Sequence, residues 1–236
     1  MTQDLAKKEA TALATLQAQL KEQALVQAED TEASTGNNIK ATHQGFEVPG
    51  MLEPVPAPLD VIVLAFVSRK EYYDTPYDPN NITPPACAAI GQHKFDSLVP
   101  FADAPKKQNE SCKGCVMNEF GSAANGRGKK CTDYKMIAFM LPDAKAGDPI
   151  FTAKISPTGL KEFSSFVSRM TNRYGLPTYA YSSQLGTKPA GSSLTITVAE
   201  KEPLNSETLQ LAMSRQAEAL KMLLEPISFS SEETKK

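Results

Sequence analysis

The chain has 236 residues, of which 41% are hydrophobic, 22% are charged and 7% are aromatic, and it contains no Trp. Its 25 basic and 27 acidic residues give a formal net charge of -2, which excludes a uniformly basic nucleic-acid coat protein. The longest apolar run, residues 61–67, is far shorter than the roughly 18 residues of a membrane span. The first residues also lack the apolar region of a signal peptide. We therefore expect a cytoplasmic protein that does not contact a membrane.

The first 44 residues are predicted to form an N-terminal helix and a linker. Leucines at positions 5, 13, 16 and 20, with Ala24, fall on one face of an amphipathic helix within residues 1–31. Residues 31–44 are polar and are predicted to be a linker. The helix is a candidate surface for homo-oligomer formation, although its composition also fits a solvated tail.

Residues 45–226 are predicted to form the folded domain, whose core starts near Leu59, and residues 227–236 a polar tail. The apolar patterns predict strands at 61–67, 134–141, 149–155, 178–185 and 192–199, and helices at 156–175 and 205–224. No regular helical crossover separates the strands. The pattern therefore favours an α+β fold, mainly β with helices, built on an antiparallel sheet or a small barrel.

All four cysteines lie in one window of the sequence, at positions 87, 112, 115 and 131. A C-x2-C pair on a tight turn with two more distant cysteines is typical of a tetrahedral zinc site. Stable disulfides are disfavoured because no secretory signal is visible and Cys112 and Cys115 are close in sequence. A four-cysteine iron–sulfur cluster, free thiols and replacement of one ligand by His93 remain alternatives.

A zinc ion held by four cysteines has no open position for water, so its predicted role is structural. The metal would order the loop formed by residues 87–131, which contains few apolar residues of its own. No paired nucleophile and base, and no recognised catalytic motif, is visible in the sequence. We therefore expect a binding protein rather than an enzyme.

The cysteine window is also the basic part of the chain. Residues 106–135 hold seven basic and three acidic residues, a local net charge of +4. Basic groups interleaved with exposed aromatic rings are suited to holding the phosphates and stacking the bases of a single strand, although the same residues also fit a solvated surface. The candidate DNA-contacting residues are Arg69, Lys70, Tyr72, Tyr73, Tyr77, Lys113, Phe120, Arg127, Lys129, Lys130, Tyr134 and Lys135.

Four segments between about residues 70 and 140 form a recognisable pattern. They are Tyr72-Tyr-Asp-Thr-Pro-Tyr-Asp-Pro79, Pro84-Pro-Ala-Cys87, Cys112-x2-Cys115-x2-Asn118-x-Phe120-Gly121-Ser122 and Gly128-Lys129-Lys130-Cys131. The pattern resembles a family of bacteriophage-encoded single-stranded-DNA-binding proteins with a four-cysteine zinc loop. The resemblance implies that Cys87, Cys112, Cys115 and Cys131 are the zinc ligands. It also implies an OB-fold-like barrel, a five-stranded fold that holds single strands.

The resulting hypothesis is non-specific binding of single-stranded DNA in phage DNA replication or recombination, with structural zinc and no catalysis. The C-terminal tail is a candidate contact for replication or recombination proteins. The alternative hypothesis is a zinc-stabilised interaction module that captures a host or phage protein through its N-terminal helix. In that case the basic loop would be solvated surface.

Overall fold

The computed structural model describes residue 15 and residues 36–76, 78, 81–191 and 193–229. Apart from residue 15, the predicted N-terminal helix lies outside the described residues, and so do Tyr77 and most of the predicted C-terminal tail. The described residues from position 37 onward belong to one compact unit, which begins at Asn37. Among the described residues, no helix combines the length and the apolar character that crossing a membrane requires.

In its described residues, the compact unit consists of short and long antiparallel strands and two α-helices. The strands are β1 (Lys40–Thr42), β2 (Gly45–Glu47), β3 (Leu59–Tyr72), β4 (Cys87–Gly91), β5 (Cys131–Met140), β6 (Phe151–Ile155), β7 (Tyr181–Ala190) and β8 (Ser193–Pro203). The helices are α1 (Leu160–Arg169), which continues as a π-helical turn over Met170–Tyr174, and α2 (Ser206–Leu223). This composition confirms the predicted α+β class.

Strand β3 is the centre of the main sheet. The sheet has the order β6-β5-β3-β7-β8, and β4 pairs with the end of β3 on the side opposite β5. All of these pairings are antiparallel. Among the described residues, hydrogen-bonded pairing does not join β6 to β8, so the sheet is open and the predicted barrel is not closed. Residues of β6 and β8 nevertheless contact one another, which shows that the sheet curls.

The inner face of the curled sheet forms the larger core. Val61 and Val63 of β3 and Ile137 and Phe139 of β5 lie on it, each at most 1% exposed. Phe163 and Phe166 of α1 pack against the same face. Gly175, with a φ of 66°, ends the helical segment in the left-handed conformation that glycine adopts without strain. This end was predicted from the sequence.

Helix α2 covers the outer face of β3 and β5. Its Asn205 cap accepts a hydrogen bond from the backbone N–H of Thr208 at 2.9 Å, as expected for an N-cap residue. Ala212, Ala219 and Leu223 are buried against the sheet, together with Ile62 and Leu64 of β3. The C-terminal end of α2 lies at Arg69 of β3, whose guanidinium donates a hydrogen bond to the carbonyl of Leu223 at 2.9 Å.

Residues 37–44 do not form the predicted linker. They contain β1 and the turn that leads into β2, and Phe46 of β2 is fully buried in the larger core. Gly45 has a φ of 131°, and a side chain there would collide with the backbone of Val55. The polar composition of these residues concealed a hairpin because only one face of it is buried.

Candidate metal centre and its surface

The two cysteines that are far apart in sequence flank the end of β3. Tyr72, the last residue of β3, pairs with Cys87 of β4 on one side and with Cys131 of β5 on the other. Directly opposed residues of antiparallel strands point to the same face of a sheet. The register therefore directs both thiols to the inner face, at the end of the sheet.

The other two cysteines are brought to this end by the loop between β4 and β5. The backbone N–H of Cys112 donates to the carbonyl of Leu98 at 3.0 Å, and the carbonyl of Cys115 accepts from the N–H of Asn118 at 2.9 Å. Gly114, with a φ of 73°, makes the turn between them. All four cysteines are free thiols and line one cavity of about 20 Å³. This volume suits a single water-sized or ion-sized occupant.

The cavity is a low-dielectric environment with one buried cation. Burial raises the pKa of the Cys112 thiol to about 11 and that of the Cys131 thiol to about 12, and the ammonium of Lys70 opposes both shifts. Lys70 is 1% exposed and lines the same cavity. An ammonium in this position offsets the negative charge that deprotonated thiols would bring.

Asn118 connects the loop to the sheet. Its side-chain oxygen accepts hydrogen bonds from Lys70 at 2.6 Å and from Lys129 at 3.0 Å. Its amide donates to the carbonyl of Cys112 at 3.0 Å and to Asp96 at 3.1 Å. Asn118 is the Asn of the C-x2-C-x2-N segment, so this part of the sequence pattern has a structural reason.

The donor set fits zinc in its chemistry. Four thiols line one ion-sized cavity, beside a buried ammonium that also forms an ion pair with Asp133. Thiolates are preferred zinc ligands, and metal binding deprotonates them despite burial. Within the described residues, however, no three His, Cys, Asp or Glu side chains are arranged as a ready metal site. The structure therefore defines a thiol-lined cavity, and zinc belongs to the function proposed below.

Replacement of Lys70 tests its role as an internal cation. We expect Lys70→Met to lower the free energy of unfolding by about 3 kcal/mol, because removing one partner of a buried ion pair leaves the other uncompensated. The ammonium of Lys129 is 3.0 Å from Asp133 and continues to pair with it, so the loss of stability should lie at the low end of the roughly 3–5 kcal/mol typical of a broken buried ion pair. Urea unfolding followed by circular dichroism measures the change.

The matched control for this change is Lys106→Met. Lys106 also forms an ion pair, with Asp74, but its side chain is 63% exposed and we expect little change in stability. Equal stability of the two variants would contradict an internal role for Lys70. An effect of Lys70→Met on DNA affinity at unchanged stability would restore its predicted role as a surface contact.

Three of the predicted DNA-contacting residues are buried and two more are half-buried. Lys70, Tyr72 and Tyr134 are at most 6% exposed, which leaves little of their surface available for bases or phosphates. Arg69 is half-buried and donates to the carbonyl of Leu223 at the end of α2, at 2.9 Å. Lys135 is half-buried and donates to Ser68 at 2.6 Å, and burial lowers its pKa.

The remaining predicted residues that the structure describes lie at the surface. Lys113 and Arg127 are exposed, and among the described residues their side chains form no ion pair. Lys130 is exposed, with its ammonium 5.3 Å from the ring centroid of Tyr72. Lys129 is exposed but paired with Asp133, and Phe120 is 80% exposed. Tyr73 is 40% exposed.

Two further residues at this end of the sheet were not predicted. Glu71 is 9% exposed and accepts hydrogen bonds from the hydroxyls of Tyr73 and Tyr134. Burial and the charge of Glu71 raise the pKa of both tyrosines, that of Tyr73 to about 12. The ammonium of Lys154 lies 3.9 Å from the ring centroid of Tyr134. No sequence motif marks these residues, because strand pairing brings them together.

These features define an α+β protein whose sheet end carries a thiol-lined cavity under a basic, glycine-containing loop. No family model, curated protein or solved structure matches the chain.

Proposed function

We propose that this protein binds single-stranded DNA without sequence specificity in phage DNA replication or recombination. The observation that carries the proposal is the loop 87–131, where Lys113, Arg127 and Lys130 are exposed and, within the described residues, are not neutralised by an ion pair. Unpaired cations can neutralise phosphates and release counterions. Phe120, at 80% exposure on the same loop, offers a ring for stacking.

Structural zinc is part of this proposal, with Cys87, Cys112, Cys115 and Cys131 as its ligands. Bound zinc would supply a cross-link between the sheet end and the loop. The protein itself supplies two further contributions. Asn118 connects the loop to Lys70 through a hydrogen bond, and the buried ammonium of Lys70 would offset the charge of the thiolates. The loop would then present its cations from a fixed position, which lowers the entropy lost when DNA binds.

A partly open OB-type barrel is also proposed. Its support is the curl of the antiparallel sheet, whose end strands β6 and β8 contact one another around the buried phenylalanines of α1. Contacts of the C-terminal tail with replication or recombination proteins, and oligomer formation by the N-terminal helix, stay predictions. The alternative function, protein capture through that helix, likewise concerns residues outside the described ranges.

Binding of a labelled oligonucleotide at several salt concentrations tests the proposed function. We expect a fluorescein-labelled 30-mer of dT to bind, with log K falling against log salt at a slope of about -2 or steeper. This slope corresponds to about 0.7 for each phosphate neutralised by the three unpaired cations. Fluorescence anisotropy measures it, with a duplex of equal length for comparison. Absent binding, or binding that salt does not weaken, would contradict the proposal.

A further inference from the structure

A groove of about 490 Å³ lies at the end of the sheet beside the cysteine loop. Thr132 pairs with Glu71, and Lys154 pairs with Met136, so these residues belong to the outer face, opposite the cysteines. The volume is in the range of small-molecule sites. Among the residues that line the groove are Tyr73, Asp78, Ile82, Lys130, Thr132 and Lys154.

Tyr73 presents an anchored aromatic ring to this groove. Its hydroxyl donates to Glu71 at 3.2 Å, and Glu71 is itself 9% exposed. The phenol is therefore satisfied from within the protein, while 40% of the residue remains exposed. A ring fixed in this way can stack on a planar ligand without breaking a hydrogen bond, and its ordering entropy is already lost.

Two cations line the groove together with Tyr73, one from the cysteine loop and one from β6. Lys130 is exposed, and the Lys154 side chain is 49% exposed, with its ammonium 3.9 Å from Glu71. Asp78 also lines the groove, so the described lining residues carry a net charge of +1, and Glu71, which is not part of the lining, forms an ion pair with Lys154. Ile82, at 76% exposure, adds an apolar wall. A planar apolar face beside positive charge matches a nucleobase with its phosphate.

We propose that this groove is a nucleotide subsite, in which one base of a single strand stacks on Tyr73 and an adjacent phosphate contacts Lys130 and Lys154. This inference rests on the proposed single-strand binding and deepens it. The bound strand would pass from the basic loop onto the outer face of the sheet. Lys154 is then a DNA-contacting residue that lies outside the basic window of the sequence.

A tryptophan at position 73 tests stacking directly, because the natural chain contains no Trp. In the full-length Tyr73→Trp protein, the indole is the sole Trp. We expect a dT oligonucleotide to quench its fluorescence by about half or more at saturation. An abasic oligonucleotide of the same length should bind through its phosphates and leave the emission nearly unchanged. Strong quenching by both strands, or by neither at saturation, would overturn base stacking at Tyr73.

Affinity measurements keep the proposal testable if the indole disturbs folding. We expect Tyr73→Leu to weaken binding of the dT oligonucleotide about tenfold, and Tyr73→Phe to have a much smaller effect. Lys154→Gln should weaken binding about fivefold and reduce the salt slope by about 0.7. Unchanged affinity of Tyr73→Leu and Lys154→Gln, with intact binding by the natural protein, would overturn the subsite and leave the proposed function standing. If the natural protein binds no single strand, both fail.

Discussion

Removal of zinc is expected to unfold the cysteine loop (residues 87–131) while the rest of the sheet stays folded. The buried apolar groups of this region are few: Ala89 and Leu98 pack with Cys112, and Ala86 packs with Tyr72 and Cys87. The conformational entropy lost when the backbone is ordered opposes folding by about 1–2 kcal/mol per residue. Such small apolar clusters cannot offset this loss over a long loop. The two larger cores contain no cysteine.

Limited proteolysis measures this loss of structure. Lys113, Arg127 and Lys130 are exposed in the loop and provide sites for trypsin. After chelation we expect cleavage at these sites to become at least about tenfold faster, with the fragments identified by mass spectrometry. We expect zinc removal to lower the free energy of unfolding by about 3 kcal/mol. For a domain of this size each kcal/mol shifts the melting temperature by about 2–4 °C, so the melting temperature should fall by at least about 6 °C. Far-ultraviolet circular dichroism should change little.

Substitution of one cysteine provides the matched comparison. Cys112→Ser should reproduce the effect of chelation and lower the zinc content from one to below about 0.2 per chain. Ser164→Ala, at an exposed position of α1 that does not line the cavity, should keep both zinc and protease resistance. Elemental analysis of the purified protein reads out the metal. Iron with visible absorbance would indicate a cluster instead. A metal-free protein in which the two variants are cleaved equally would contradict the zinc site.

The sequence predicted those strands that contain a clear apolar pattern, and it did not predict strands whose residues are polar or alanine-rich. The continuous apolar run at 61–67 predicted the buried centre of β3. Arg69, Lys70 and Glu71, close to the end of β3, are polar and gave no strand signal. They extend the strand because pairing with β4 and β5 satisfies the backbone, while Asp133 and Tyr134 satisfy Lys70 and Glu71. β4 was missed because it is short and alanine-rich, a composition with little strand propensity.

For the candidate site, too, one feature could be predicted from the sequence and another could not. The spacing of the cysteines predicted that they gather, and the structure brings all four to one cavity. Which cations reach solvent could not be predicted, because adjacent residues of a strand alternate between faces and their partners come from elsewhere in the chain. Lys130 is exposed, whereas Lys70 is buried by the loop that bonds it through Asn118. Composition gives the net charge of a segment and not the accessibility of each charge.

Removing the three unpaired loop cations is expected to weaken single-stranded-DNA binding roughly 100-fold without lowering stability. The variant is Lys113→Gln combined with Arg127→Gln and Lys130→Gln. A phosphate contact contributes about 1 kcal/mol, and three such contacts correspond to about two powers of ten in Kd. The salt slope should become shallower by about 2. Anisotropy titrations at several salt concentrations measure both quantities, and thermal unfolding checks the stability.

Lys145→Gln is the matched control, because this exposed lysine follows the far end of β5 from Cys131. The 10 residues of β5 separate the two ends by about 30 Å, several times the distance over which physiological salt screens charge. We expect its affinity and salt slope to equal those of the natural protein. If the control weakens binding as much as each loop substitution does, the attraction between DNA and the protein is general and the loop is not the DNA contact.

If the triple variant binds normally, the loop is only solvated surface. A loss confined to the loop variant, with zinc content unchanged, would separate the DNA contact from the structural role of the metal, since none of the three substituted side chains lines the cysteine cavity.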